Sequence, residues 1–305
     1  MESHETISID DIMSVFREFD GIYQKEMVDA AIERREEIIP RLIAVLEQVT
    51  ADPDEYIKDT DLYDHLYALM LLGYFKATEA HDTIIRLFSL PDKAPHDLFG
   101  EITTNNLPSI LLRTCGGSIE RIKALALNRE ADDYCRISAL QALTFAVGEG
   151  VAAREEVVAF LGGLFTGEET GEESDFWSFA ADFAIALYPE ENSAVIEKAF
   201  AEGLLSTGIV DHEQYTQAMQ AGKEQMLAQL KAQYAHYNLD DVHASMSWWA
   251  CFNEDNELTA ASDPLDLIAS DLYGKADAPH AKNNDKAKKK KKRKQAKTAK
   301  RKNRR

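Results

Sequence analysis

The stretch "HLYALMLLGYFKATEAHDTIIRLFSL", His65 to Leu90, decides the fold class. It reads as one helix rich in Ala and Leu, a short break, then a second, amphipathic helix, with apolar residues at helical rather than alternating spacing. The same order recurs in "VDAAIERREEIIPRLIAVLEQV" from Val28, "SILLRTCGGSIERIKALALN" from Ser109, "RISALQALTFAVGEGVAAREEVVAFLGGLF" from Arg136 and "SFAADFAIALYPEENSAVIEKAFAEGL" from Ser178. No segment sustains the period-2 alternation of a half-buried strand, so the chain reads as all-α.

The five units start 37, 44, 27 and 42 residues apart. Those spacings scatter around the roughly 40 to 47 of HEAT or armadillo helix pairs, with 27 the poor fit. Ala68, Ala139, Ala142, Ala180 and Ala181 suit a stack, because alanine favours helix and lets neighbouring helices approach closely. The expectation is a HEAT-like helical-repeat solenoid; an irregular helical bundle is the alternative. Pro53, Pro91, Pro95, Gly116, Gly117, Gly167, Gly171 and Pro189 punctuate the units. Pro40 is expected near a helix start, where its missing N–H costs nothing. Asp175 is expected to open the helix "FWSFAADFAIAL".

A sixth helical segment, "EQYTQAMQAGKEQMLAQLKAQYAHY", leads into "NLDDVHASMSWWACF". Terminal units of a stack need an outer cap, so Trp248, Trp249 and Phe252 are expected to pack there; an exposed Trp248 and Trp249 would instead be a partner anchor. "ASDPLDLIASDLYG" from Ala261 is expected to close the fold, giving a helical domain over 1–274 and a disordered basic tail over 275–305.

Charge divides the chain at the same place. From Lys275 onward 16 Lys and Arg stand against two Asp, a net +14; before it 18 Lys and Arg stand against 51 Asp and Glu, a net -33. The basic side chains Lys288, Lys289, Lys290, Lys291, Lys292, Arg293, Lys294, Lys297, Lys300, Arg301, Lys302, Arg304 and Arg305 form a tract with no aromatics. Such a tract binds phosphate by counterion release with little regard to sequence, so RNA or ribosomes are its expected polyanion. Competing readings are an anionic membrane surface, a nuclear or nucleolar address for a secreted effector, and a fold-back onto the acidic body.

Three widely spaced cysteines, Cys115, Cys135 and Cys251, fit no disulfide framework and no paired-cysteine zinc site. The opening "MESHETISIDDIMSVF" lacks the basic flank and apolar run of a secretory signal, and no stretch has the roughly 20 apolar residues of a membrane span. A cytoplasmic protein without integral membrane association is expected.

Catalytic and metal chemistry is weakly signalled. His236, Asp240 and His243 have i, i+4, i+7 spacing, which would share one face of a continuous helix, but "NLDD" reads as a turn and a fresh N-cap. Cys115 and Ser118 in "RTCGGS" have no assignable base; they read as a glycine-closed helix end, with Ser118 capping the next helix. Gly148 to Gly150 and Gly162 with Gly163 lack a phosphate-loop spacing, and the run Glu168, Glu169, Glu172 and Glu173 reads as a solvated acidic loop. No catalytic residue, metal ligand or cofactor is assigned.

The opening "ISIDDIMSVF", the decisive stretch with its following proline, and "SWWACF" together resemble the bacterial family called domain of unknown function 1186, over most of residues 5 to 255. The resemblance implies a helical fold and carries over no catalytic residue. Many members of that family end in a cysteine-rich zinc module resembling the tail of the SecA motor; this chain has no cysteine after Cys251, so none is carried over. The reading is a non-enzymatic adaptor that binds a protein partner through its acidic body and RNA or ribosomes through its tail. An enzyme with a site in the helical groove, involving Cys115 or the His236 and His243 face, is the alternative. Neither the protein partner nor the oligomeric state is indicated.

Overall fold

The computed structural model describes residues 7–171 and 174–252. Among these residues there are 17 α-helices and three short 3-10 turns, and no strand beyond two isolated bridges. The all-α expectation holds.

Ser8 starts α1 (Ile9–Arg17) with a reciprocal cap. Its hydroxyl accepts from the Asp11 N–H at 3.1 Å, and the Asp11 carboxylate accepts from the Ser8 N–H at 3.1 Å. Ile12 and Phe16, one turn apart, bury completely. Only Arg34 separates α2 (Lys25–Glu33) from α3 (Arg35–Ala51). Pro40 is the sixth residue of α3, past the four N–H groups that lack partners anyway. The expectation for Pro40 is therefore corrected: it removes one internal bond and leaves the Glu36 carbonyl without its i+4 donor. α4 (Pro53–Lys58) does start on proline, and the Asp52 side chain accepts from Glu55 N–H at 3.3 Å.

The decisive stretch becomes α5 (Asp64–Phe75) and α6 (His81–Phe88). α5 is apolar all round and accordingly buried all round, Tyr67 to Gly73 without interruption. α6 is amphipathic: Ile84, Ile85, Leu87 and Phe88 face inward while Asp82 and Arg86 stay exposed. The turn between them passes through Lys76 in the left-handed region (φ 54°), and Ala77 N–H closes back on Leu72 C=O at 3.1 Å.

Two short helices, α7 (Ala94–Phe99) and α8 (Ile102–Asn105), follow. Then the pairs resume as α9 (Leu107–Thr114) with α10 (Glu120–Leu127), α11 (Asp133–Gly148) with α12 (Arg154–Gly162), and α13 (Phe176–Ala186) with α14 (Ser193–Ala201). The first helices pack in series, α3 on α5, α5 on α9, α9 on α11 and α11 on α13, while α6 bridges α3 and α10. Asp175 is the N-cap residue of α13, as expected, while the side chain that accepts from the Phe176 N–H, at 3.1 Å, is Ser174. One capping expectation is corrected: Ser118 makes no cap for α10, whose N-cap is Ile119.

Close approach has visible requirements. A Cβ on Gly162 would stand 2.3 Å from the Asn192 amide oxygen; that amide instead reaches Val158 C=O at 2.8 Å and ties α12 to the turn before α14. Helix C-termini are closed by arginines from elsewhere in the chain, which complete orphan carbonyls and oppose the negative end of the helix dipole. Arg35 donates to Phe75 C=O at 2.6 Å, and Arg113 to Gly73 and Tyr74 at 2.9 and 3.0 Å. Arg154 donates to Leu187 C=O at 2.6 Å and also reaches Tyr188 C=O. It pairs with Glu191 as well, holding that carboxyl down at about 2.

The last helices, α15 (His212–Ala221), α16 (Lys223–Tyr237) and α17 (Val242–Met246), depart from a one-dimensional array. α16 packs on α11 and α13, and α17 returns to α5.

Candidate functional site

Met226, Leu230 and Tyr234 recur every four residues and form the buried stripe of α16. Tyr234 and Tyr237 meet the Phe145 ring of α11 at 5.0 and 5.6 Å. The helix ends at Asn238, and the chain from 237 to 252 then crosses α9 and α5 toward the N-terminal helices. Ser109 donates to Tyr237 C=O at 2.5 Å, Arg113 to Asp240 at 2.7 Å, and Leu239 drops into the space over Gly73, where a Cβ would lie 3.0 Å from it and 2.7 Å from Ile110. Asp241 caps α17 by accepting from Ala244 N–H at 2.9 Å, as "NLDD" predicts.

His243 then bridges two N-terminal side chains. Its Nδ1 lies 2.9 Å from the Tyr23 hydroxyl and its Nε2 2.9 Å from Asp29. A neutral ring carrying its proton on Nε2 satisfies both, donating to the carboxylate and accepting from the phenol. Asp29 sits below the usual carboxylate range because Lys25, then His243, donate to it. Since His243 is committed here and Asp240 to Arg113, the i, i+4, i+7 spacing does not bring His236, Asp240 and His243 to one face. Among the described residues no group of three or more His, Cys, Asp or Glu is arranged to hold a metal ion.

The crossing ends in an aromatic cluster. Phe252 lies 6.1 Å from Phe19, 5.5 Å from Tyr23, 6.4 Å from Tyr63 and 6.3 Å from Tyr67, and stacks on Trp249 at 5.9 Å. Burial pushes Tyr63 and Tyr67 up to about 12 and Tyr23 higher still, so these phenols stay protonated at neutral pH and act as hydrogen-bonding packing groups. The tryptophan pair is split. Trp249 is half-buried in this cluster, as a cap requires, whereas Trp248 is 61% exposed; Ile22, next to Tyr23, is 65% exposed. Neither sign of this division is legible in "SWWACF".

A groove of about 720 Å³ runs beside the crossing, with Lys76, Arg113, Glu149, Lys231, Tyr234 and Asp240 among its lining residues and neither histidine nor cysteine. Cys115 is buried at the end of α9, away from that lining. Arg113 and Asp240 pair with one another in this lining at 2.7 Å, and the lining holds neither a cysteine nor a histidine to act as nucleophile and base. The basic residues Lys288 to Lys292, Arg293, Lys294, Lys297, Lys300, Arg301, Lys302, Arg304 and Arg305 lie outside the described residues, as does "ASDPLDLIASDLYG".

These features define a class: an all-α protein of serially packed helix pairs whose last helix is clasped back across the earlier ones. Within it, residues 7–253 match the family described as "Protein of unknown function (DUF1186)", and the chain belongs to that family. An uncharacterized protein of Chlamydia trachomatis serovar D is 30% identical over 208 residues, covering 68% of this chain and 82% of its own. An uncharacterized protein of Chlamydia muridarum is 30% identical over 193 residues, covering 63% and 77%. No solved structure matches. Among the described residues no helix is long and apolar enough to cross a membrane.

Proposed function

We propose that this protein is a non-enzymatic adaptor: its acidic helical body binds a protein partner, with Trp248 as the anchor and Trp249 fixed beside it, and its basic stretch from Lys282 attaches the complex to RNA or ribosomes in the cytoplasm. The observation that carries this reading is how the cations of the body are already engaged. Thirteen of the 18 Lys and Arg before Lys275 sit against a carboxylate of the body at 3.8 Å or less. With 51 Asp and Glu in that region, the uncompensated surface charge is carboxylate. Such a surface attracts a basic protein and repels phosphate, so polyanion binding falls to the 16 cations from Lys275 onward.

The test compares the full chain with a version ending at Gly274, each titrated into ribosomes and generic RNA at several salt concentrations. The full chain is expected to bind with a steep salt dependence and the shortened chain to lose binding. Equal binding by the two, or binding by neither, contradicts the attachment.

A further inference from the structure

We propose that the groove of about 720 Å³ beside the crossing binds a small amphipathic carboxylate, with Lys76 and Lys231 holding its charge and the alanine face of α16 holding its apolar body. The pattern of ion pairing points there. Arg35, Lys76, Lys93, Arg129 and Lys231 are the five Lys and Arg before Lys275 that sit against no carboxylate among the described residues, and each of them lines a cavity. Ion pairs use up the cations of the open surface and leave these five, all in concave places. The three cavities differ in sign. Around Lys93 and Arg129 the lining carries five carboxylates against three cations, and around Arg35 two against one. The groove beside the crossing reverses this, with Lys76, Arg113 and Lys231 against Glu149 and Asp240. Arg113 and Asp240 pair at 2.7 Å, and the other Arg113 nitrogens donate to Gly73 and Tyr74 C=O. Two ammonium groups are left against Glu149, one positive charge in excess on a body of net -33. A carboxylate balances that excess, whereas a phosphate monoester, at about -1.5 to -2, overshoots it.

The remaining lining suits an apolar body. Ala228, Ala232 and Ala235 fall at i, i+4 and i+7 on an exposed face of α16, beside its buried stripe, and their short side chains leave the groove open. Val151, one of four large apolar side chains left exposed among the described residues, shares the lining with the buried Leu112. The Lys76 and Lys231 stems add apolar cover while their ammonium groups stay at the rim. A cavity of this size, apolar with a few charges, is the ordinary form of a small-molecule site. Asn238 and Asp240 of the crossing also line the groove, so an occupant stabilises the crossing in place by mass action. The site requires neither a protein partner for the body nor RNA on the basic stretch.

Calorimetric titration of the full chain with octanoate tests the site. Octanoate is expected to bind once per chain, and octanamide, with the same tail and no charge, about tenfold or more weakly. Lys76→Gln with Lys231→Gln is expected to weaken octanoate by about tenfold or more. Ala232→Trp, which fills the groove from an exposed position without changing charge, is expected to abolish binding. Lys93→Gln with Arg129→Gln removes two charges from another cavity and is expected to bind like the wild type. Saturating octanoate is expected to raise hydrogen-exchange protection of amides 238–247. Equal affinity of the wild type and the Lys76 and Lys231 variant overturns the proposal, because the carboxylate is then held elsewhere, and unchanged exchange at 238–247 does the same. Tighter binding of octyl phosphate than of octanoate overturns the choice of head group. No binding of octanoate overturns it as well, and an acidic, apolar peptide that binds instead would make the groove a protein-docking surface.

Discussion

Helix α5 and the crossing at residues 237–252 touch at Gly73 and Leu239, yet they are held by different means. α5 is surrounded: α3, α9 and α1 pack on it, and Leu69 to Leu72 have no exposed surface. Its stability is a sum of apolar area, spread over many neighbours. The crossing has a few buried plugs, Leu239, Val242 and Met246, and the Phe252 ring cluster at its end; between these it is fixed point by point through Ser109, Arg113, Tyr23 and Asp29. Area resists local opening because every fragment of it depends on the rest; single hydrogen bonds near the surface do not. The first helices of the pairs are therefore the scaffold, and the segment that carries Trp248 is the adjustable part.

The largest effect is expected in the scaffold. Leu69→Ala, at a fully buried position, is expected to cost about 3–5 kcal/mol by urea unfolding and to lower the midpoint of the whole body in one transition. A separate early transition for α5 would show that it is not the common core and would erase its contrast with the crossing.

Next comes acid. Burial holds His65 neutral in the native protein, lowering it from 6.5 to about 4, with one ring nitrogen 3.0 Å from Leu98 C=O. The unfolded chain takes up a proton near 6.5 and the native chain does not until about 4, so His65 makes stability fall as pH drops through that window. The contribution is about 3 kcal/mol, and His65→Gln is expected to flatten the profile between those two pH values. A profile unchanged by the substitution would mean that His65 is protonated in the native state.

The smallest effect lies on the other side of the contrast. His243→Ala removes two hydrogen bonds at a partly exposed position and is expected to cost about 1 kcal/mol or less overall. Its signature is local: amides of 238–247 lose hydrogen-exchange protection while those of 66–75 keep theirs. Equal loss in both would make the crossing part of the core.

The same division explains which features were legible in the sequence. α5 and α6 can be read from His65 to Leu90 because an all-apolar helix can only be buried and an amphipathic one can only lie against it. The returning segment is not legible, because it joins residues 128 and 220 positions apart through ordinary serines, histidines and tyrosines. The arginine closures of helix ends are hidden in the same way, since Arg35 and Arg113 serve one helix end from either side of it. "SWWACF" signals aromatic density but not that adjacent tryptophans would point into and away from the cluster. Pro40 misled because propensity places it in a first turn, whereas packing of Leu42, Val45, Leu46 and Val49 holds α3 together across it.

Whether the body and the basic stretch divide the work by charge is answered by the salt dependence of binding to single-stranded RNA. Replacing Lys288 to Lys292 with glutamine in the full chain removes five cations without touching the helical body. Weaker binding is expected, with a log–log salt slope shallower by up to about 3.5, at about 0.7 for each phosphate no longer neutralised. An unchanged slope with unchanged affinity would show that these five cations neutralise no phosphate and would contradict the division.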